Sequence, residues 1–127
     1  MSEYQMPAGE YYFGDPCYVL DSKWMDLLIS TDYLEDYSDT DWITRAGSTL
    51  YGDGTFFGMG IMSQFKFTVD SGSIGLVPLT EMCVDAVNVN PLGKRFTMDE
   101  PFIFKVIDGR FYINDKLVLD TGVDDLI

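Results

Sequence analysis

The sequence contains no histidine, and this absence excludes several kinds of catalytic site. Histidine is the usual base near neutral pH, and both Ser-His-Asp and Cys-His nucleophile pairs require it. Cysteine is also scarce, with only Cys17 and Cys83 present, whereas a structural zinc site needs a full set of cysteine or histidine ligands. The sequence therefore predicts no zinc site, and we expect both thiols to be free, as is usual in a cytoplasmic protein.

Basic residues are few as well, since 8 lysines and arginines face 21 aspartates and glutamates and give a net charge of −13. Direct binding to nucleic acid depends on lysine and arginine neutralising phosphates, so this balance argues against it. The same balance disfavours an anionic membrane surface. Two interpretations stay open: an acidic surface without a specific partner, or docking onto a partner with a basic face, including a protein whose basic groove normally holds DNA or RNA.

Long apolar runs are absent, and the beginning of the chain, Met1-Ser2-Glu3-Tyr4, has neither the basic start nor the apolar centre of a signal peptide. A hydrophobic content of 46% over 127 residues is nevertheless enough for a folded core. We expect a single cytoplasmic domain over residues 1–127. Met1–Glu10 is predicted to be frayed at its start, and Asp120–Ile127 to be an acidic tail.

The chain is organised around an aromatic stretch that begins at Tyr11. Tyr11–Phe13 is predicted to be a core strand, Gly14–Pro16 a bend, and Cys17–Leu20 a strand that returns to the core. Ser22 is typical of a helix N-cap, and the spacing of apolar residues after it predicts a helix of about ten residues with Trp24 as its core anchor.

Antiparallel strands are predicted over most of the remaining chain. Phe65–Asp70 and Ile74–Val77 flank a short Ser-Gly-Ser turn and are interpreted as a hairpin. Near the C-terminus, Asp108-Gly109 and Asn114-Asp115 are turn pairs between apolar runs, which predicts a three-stranded meander over Phe102–Ile107, Arg110–Ile113 and Lys116–Leu119. The predicted fold class is α+β, mainly an antiparallel curled sheet or partly open barrel with one main helix after Ser22.

The segment Thr31–Asp41 is rich in carboxylates and contains no basic residue. A solvated acidic loop is one interpretation. The other is a contact surface, because aromatic residues beside carboxylates suit an arginine-rich partner. The predicted partner-binding residues are Asp32, Glu35, Asp36, Tyr37, Asp39, Asp41 and Trp42. Asp39 and Asp41 have the spacing of a weak cation site, but the glycine and terminal glutamate of a calcium loop are missing, so we predict no metal and no cofactor.

An alternative site is a small-ligand pocket formed by turns. Its candidate residues are Gly14, Asp15, Cys17, Tyr18, Asp53 and Asp70. A third hypothesis makes Cys17 a nucleophile whose thiol pKa is lowered by the start of the nearby helix.

Several short motifs resemble those of a group of small proteins from bacteria and their tailed phages. They are Gly14-Asp15-Pro16-Cys17-Tyr18-Val19, the downstream Trp24, Gly52-Asp53-Gly54, and Val69-Asp70-Ser71-Gly72 followed by Ile74-Gly75. The resemblance covers residues 11–78 and leaves the C-terminal meander outside. It implies a compact domain, encoded by a phage, that modulates or blocks a host protein in the host cytoplasm, and it implies no particular activity. Taken together, these features predict a non-enzymatic acidic protein that docks on a basic protein surface.

Overall fold

The computed structural model describes residues 2–38, 40–50, 52–83 and 93–122. Within these residues lie ten strands and two α-helices: β1 (Ser2–Met6), β2 (Gly9–Gly14), α1 (Cys17–Leu20), α2 (Trp24–Ser30), β3 (Arg45–Ser48), β4 (Gly54–Phe57), β5 (Lys66–Val69), β6 (Ser73–Pro78), β7 (Lys94–Met98), β8 (Phe102–Ile107), β9 (Arg110–Ile113) and β10 (Lys116–Asp120). The predicted α+β class with a mainly antiparallel sheet is confirmed, and no closed barrel forms among the described strands.

The described strands form three antiparallel sheets. One sheet has the order β1-β8-β9-β10, a second has the order β3-β6-β2-β7, and β4 pairs with β5 in a small third sheet. The C-terminal meander β8-β9-β10 is confirmed, because its two turns bring neighbouring strands together through local contacts.

Strand β2 separates two hydrophobic clusters. Its side chains alternate, so Tyr11 and Phe13 join the main core while Tyr12 points to the opposite side. The Phe13 ring packs edge-on against Phe67, with ring centroids 5.2 Å apart. The second cluster lies beneath the helices, where Tyr12 packs with Leu27 and other apolar residues. The aromatic stretch is therefore a central strand that is buried on both faces.

The segment after the bend is helical, and the prediction of a strand at Cys17–Leu20 is wrong. Pro16 has φ −64° and its carbonyl accepts the Leu20 N–H at 2.9 Å, which closes the first helical turn. Proline is suited to the first turn of a helix because its fixed φ is already helical. Ser22 makes no capping hydrogen bond and lies in a 3-10 turn, Asp21–Lys23, that joins α1 to α2.

Two further expectations about strands are wrong. Phe65–Asp70 and Ile74–Val77 do not form a hairpin: β5 pairs with β4, whereas β6 pairs with β2 and β3. The segment Met1–Glu10, predicted to be frayed at its start, forms a strand from Ser2 onward that pairs along its full length with β8, while Met1 lies outside the described residues. Both results depend on contacts between distant parts of the chain.

Candidate functional site

The predicted ligand-binding turn contains a buried carboxylate, Asp15, whose exposed fraction is 0%. Its Oδ1 accepts hydrogen bonds from the Cys17 N–H at 3.0 Å and the Ser71 hydroxyl at 2.6 Å. Its Oδ2 accepts from the N–H groups of Asp70 at 2.7 Å and Ser71 at 2.8 Å. These four bonds use the lone pairs of both oxygens. Asp15 therefore ties the first motif of the chain to the turn after β5 and has no acceptor left for a ligand.

The phenols around Asp15 are engaged in the same network. Tyr12 donates to the Asp15 carbonyl at 3.0 Å, and the Tyr18 hydroxyl donates to Asp70 Oδ2. Burial, followed by the hydrogen bond and the charge of Asp70, raises the pKa of Tyr18. Gly14 leaves room for this arrangement, since a Cβ there would lie 2.6 Å from the Tyr12 hydroxyl oxygen.

Cys17 lies beside Asp15 in a setting that favours the thiol over the thiolate. Burial first, and then the hydrogen bond and charge of Asp15, raise its pKa to about 12. An activated cysteine nucleophile needs a lowered pKa. This environment therefore gives no support to the hypothesis of a Cys17-dependent enzyme.

The last member of the alternative set, Asp53, is exposed on the neighbouring turn. A Cβ at Gly72 would lie 3.9 Å from its Oδ1, so Asp53 and Asp70 flank the same turn. The structure thus gathers the six predicted ligand-binding residues around this turn. Neither of the two surface clefts described here, of about 420 and 320 Å³, is lined by any of them.

The described carboxylates of the acidic segment after α2 face solvent. Asp32, Glu35, Asp36 and Asp41 are all exposed, and none forms an ion pair with a described residue. Asp36 accepts hydrogen bonds from the Ser38 hydroxyl and N–H, which lower the pKa of its carboxyl. Asp39, the remaining carboxylate of the predicted set, lies outside the described residues.

The backbone of this segment begins with an unusual turn. Asp32, Tyr33 and Leu34 have φ values of 50°, 57° and 72°, so three consecutive non-glycine residues are left-handed. Such a conformation costs roughly 1–2 kcal/mol per residue. The buried Thr31 supports it, because its hydroxyl donates to the Leu27 carbonyl at 2.7 Å and accepts the Leu34 N–H at 3.0 Å. The turn leaves the Tyr33 side chain 66% exposed.

Tyr37 anchors the segment to the edge of a sheet. Its hydroxyl donates to the Ala46 carbonyl at 3.1 Å and accepts the Ala46 N–H at 3.0 Å, as a neighbouring strand would. Arg45 lies 4.4 Å above its ring, and burial raises the pKa of Tyr37 to about 12. Because its hydroxyl is already bonded to Ala46, Tyr37 is not available to a partner as the sequence predicted.

A groove of about 420 Å³ lies beside the acidic segment. It is lined by Lys23, Asp26, Asp41, Trp42, Thr80 and Glu81. Glu81 is held in place by hydrogen bonds from the Ile43 N–H at 2.7 Å, the Thr44 N–H at 2.8 Å and the Thr44 hydroxyl at 2.7 Å. These bonds fix the residues that follow the acidic segment against the turn after β6. The groove thus brings together carboxylates from three separate segments. Sequence analysis missed Asp26 and Glu81 because no local pattern connects them with Asp41.

Helix α2 carries apolar residues on its outer side as well as its inner side. Leu27 is fully buried, whereas Met25 and Ile29 are 54% and 67% exposed. Five of the seven residues in α2 are apolar, which is more than one helix face can bury. The number of apolar residues in α2 therefore indicated an apolar surface that faces outward. The prediction from the sequence covered only the apolar residues that face the core.

Comparison of the chain with family models, curated proteins and solved structures found no match. The resemblance to small bacterial and phage proteins therefore stays a prediction. Within the described residues, no helix has both the length and the apolar character needed to cross a membrane, and no group of three or more acidic or cysteine side chains is arranged to hold a metal ion.

Proposed function

We propose that the protein is a non-enzymatic binding protein that docks its acidic segment onto a basic face of a partner protein. The observation that carries the proposal is the set of exposed carboxylates Asp32, Glu35, Asp36 and Asp41, which have no ion-pair partner among the described residues. Between Asp21 and Asp41 the chain has seven carboxylates and one lysine. Such a concentration of one sign attracts a partner of the opposite sign and speeds encounter.

The motif resemblance suggests a more specific setting for this activity. On that basis the protein is a phage accessory factor in the host cytoplasm, and its target is a host protein with a basic surface, including one that normally binds nucleic acid. The strong negative charge supports this choice, because an acidic surface can occupy a basic groove in place of phosphates.

The alternative small-ligand site receives less support from the geometry. The lone pairs of Asp15 are all used within the protein. The four described carboxylates of the acidic segment, Asp32, Glu35, Asp36 and Asp41, are in contrast exposed to solvent. We therefore place the functional surface on the acidic segment and assign the Asp15 turn to folding.

A pull-down from host lysate at low and at moderate salt tests the docking proposal. We expect a basic protein to be retained at low salt and lost as salt rises, because exposed charges are screened within about 10 Å at 0.1 M salt. The variant Asp32→Asn/Glu35→Gln/Asp41→Asn should lose that protein. Asp53→Asn/Asp99→Asn/Glu100→Gln removes the same charge from exposed positions elsewhere and should retain it. Equal loss in both variants would show that only net charge matters and would contradict a specific acidic segment.

A further inference from the structure

The exposed apolar face of α2 and the acidic groove form one continuous surface. Met25 and Ile29 are one helical turn apart, so they lie side by side. Asp26, which lines the groove, is three residues before Ile29 and therefore borders the same face. Trp42 forms part of the groove wall and is itself partly buried against the core beneath the helices. We call this continuous area, made of Met25, Ile29, Asp26, Asp41, Trp42 and Glu81, the α2 surface.

We infer that the α2 surface binds a positively charged protein segment that places an apolar side chain on Met25 and Ile29 and a lysine or arginine beside Trp42. This inference rests on the proposed function and adds a chemical requirement to it, namely an apolar contact next to the basic ones. The partner then needs both features within one short segment.

The charges on the α2 surface indicate which kind of partner can bind there. Asp26, Asp41 and Glu81 line the groove together with a single cation, Lys23. A second copy of this chain would bring another net charge of −13 to the face, and like charges in contact oppose association. Nucleic acid is disfavoured for the same reason. A cationic segment meets the opposite charge.

The groove has the chemistry to hold a basic side chain. An ammonium or guanidinium group beside an indole gains a cation–π attraction, and neighbouring carboxylates add to it. Glu81 is already oriented by the Ile43 N–H, which donates to Oε2, and by the N–H and hydroxyl of Thr44, which donate to Oε1. Unlike Asp15 it keeps one lone pair, on Oε2, so it can still accept from a cation with little further ordering. The adjacent exposed apolar side chains gain from contact with any aliphatic partner, because apolar surface leaves water.

The test uses three synthetic helical peptides of equal length. The first carries lysines and two leucines four residues apart, the second has serines in place of those leucines, and the third is the first with glutamates in place of the lysines. Isothermal titration calorimetry measures their affinities for the full chain at low salt. We expect the leucine–lysine peptide to bind about tenfold more tightly than the serine–lysine peptide, and the glutamate peptide not to bind.

Two variants locate the contact. Met25→Ser/Ile29→Ser should remove the advantage of the leucine–lysine peptide and leave the serine–lysine affinity unchanged. Phe57→Ser/Ile61→Ser removes comparable apolar surface at positions that are 56% and 51% exposed, and should keep the advantage. All four positions are exposed, so both variants should fold, and circular dichroism verifies this.

The outcomes separate this inference from the proposed function. Equal affinity of the two basic peptides, or an advantage that survives Met25→Ser/Ile29→Ser, overturns the inference while charge docking stands. No binding of either basic peptide at low salt contradicts the proposed function and the inference together. Dimerisation in analytical ultracentrifugation that disappears in Met25→Ser/Ile29→Ser would show that a second copy occupies the face, and would also overturn it.

Discussion

Asp15 and Asp41 are the same residue type in opposite settings. Asp15 is fully buried and accepts four hydrogen bonds, two of them from the backbone of a turn more than fifty residues away. Asp41 is exposed and lines an open groove with Asp26 and Glu81. A buried charge is tolerated only when its bonds are satisfied within the protein, whereas an exposed charge remains available to a partner. The first therefore serves the fold, and the second is suited to binding.

The largest expected effect is on stability when the Asp15 carboxylate is removed. Asp15→Ala removes the charged acceptor of three N–H groups and of the Ser71 hydroxyl, which keeps only a longer bond to the Ser73 carbonyl at 3.4 Å. A hydrogen bond to a charged group contributes about 1.5–3 kcal/mol, and these bonds are only partly buried, so we expect the free energy of unfolding to fall by roughly 3–6 kcal/mol. Urea unfolding measures this loss. Asp53→Ala, at an exposed position on the adjacent turn, is the control, and a similar loss there would contradict the special role of Asp15.

A smaller effect is expected where the acidic segment joins the sheet. Tyr37→Phe removes the hydroxyl that bonds to both backbone groups of Ala46, and we expect a loss of about 1–2 kcal/mol. Tyr33→Phe is the matched control, because that side chain is 66% exposed and its hydroxyl has no described partner. Equal stability of the two variants in urea would show that the Tyr37 bonds are not needed.

The free energy of unfolding should depend on pH in a way that reports the raised pKa of the Cys17 thiol beside Asp15. Folding raises the pKa of Cys17 from 9.0 to about 12, so the contribution of this group to stability is present below pH 9 and is lost as the pH rises towards 12. We expect Cys17→Ser to flatten the stability profile between pH 9 and 10. Folding also raises the pKa values of Tyr12 and Tyr18. Above pH 10 these two phenols therefore lower the free energy of unfolding as well.

Alkylation gives a second measurement of the same thiol. In a Cys83→Ser background at neutral pH, Cys17 should react with iodoacetamide more than tenfold more slowly in the folded protein than in urea, because the thiolate is the reactive form. Faster labelling of the folded protein would contradict the raised pKa and would renew the case for a nucleophile.

The smallest effect is expected from the exposed carboxylates themselves. Asp32→Asn/Glu35→Gln/Asp41→Asn should change the free energy of unfolding by no more than about 0.5 kcal/mol, since these groups have no ion-pair partner among the described residues. Thermal and urea unfolding measure this. A large destabilisation would show that the segment contributes to the fold and would weaken its assignment to binding.

The predictions from the sequence are correct where neighbouring residues determine the structure. The Asp108-Gly109 and Asn114-Asp115 turns place four residues at positive φ, a geometry that Asp, Asn and Gly favour, and the predicted meander follows directly. Tyr11–Phe13 was likewise placed correctly in the core from its aromatic composition.

The predictions from the sequence are wrong where a side-chain hydrogen bond or a contact with a distant residue decides the local structure. Cys17-Tyr18-Val19-Leu20 has the composition of a strand. A helix begins there instead, because the Cys17 N–H donates to Asp15 Oδ1 and the Leu20 N–H donates to the Pro16 carbonyl. The turn at Asp70–Ser73 was interpreted as a hairpin. Its backbone is instead tied to Asp15, and the strands on either side of it enter different sheets. Similarly, the groove beside α2 depends on Glu81, which no motif connects with the acidic segment.

The bond between Tyr37 and Ala46 has a consequence for behaviour at high concentration. Strand β3 is the edge of its sheet, and unpaired backbone groups at such an edge can join the strands of another molecule. The Tyr37 hydroxyl occupies the outward N–H and C=O of Ala46, so intermolecular strand pairing must first displace it. One phenol thus stands in the way of intermolecular strand pairing at Ala46.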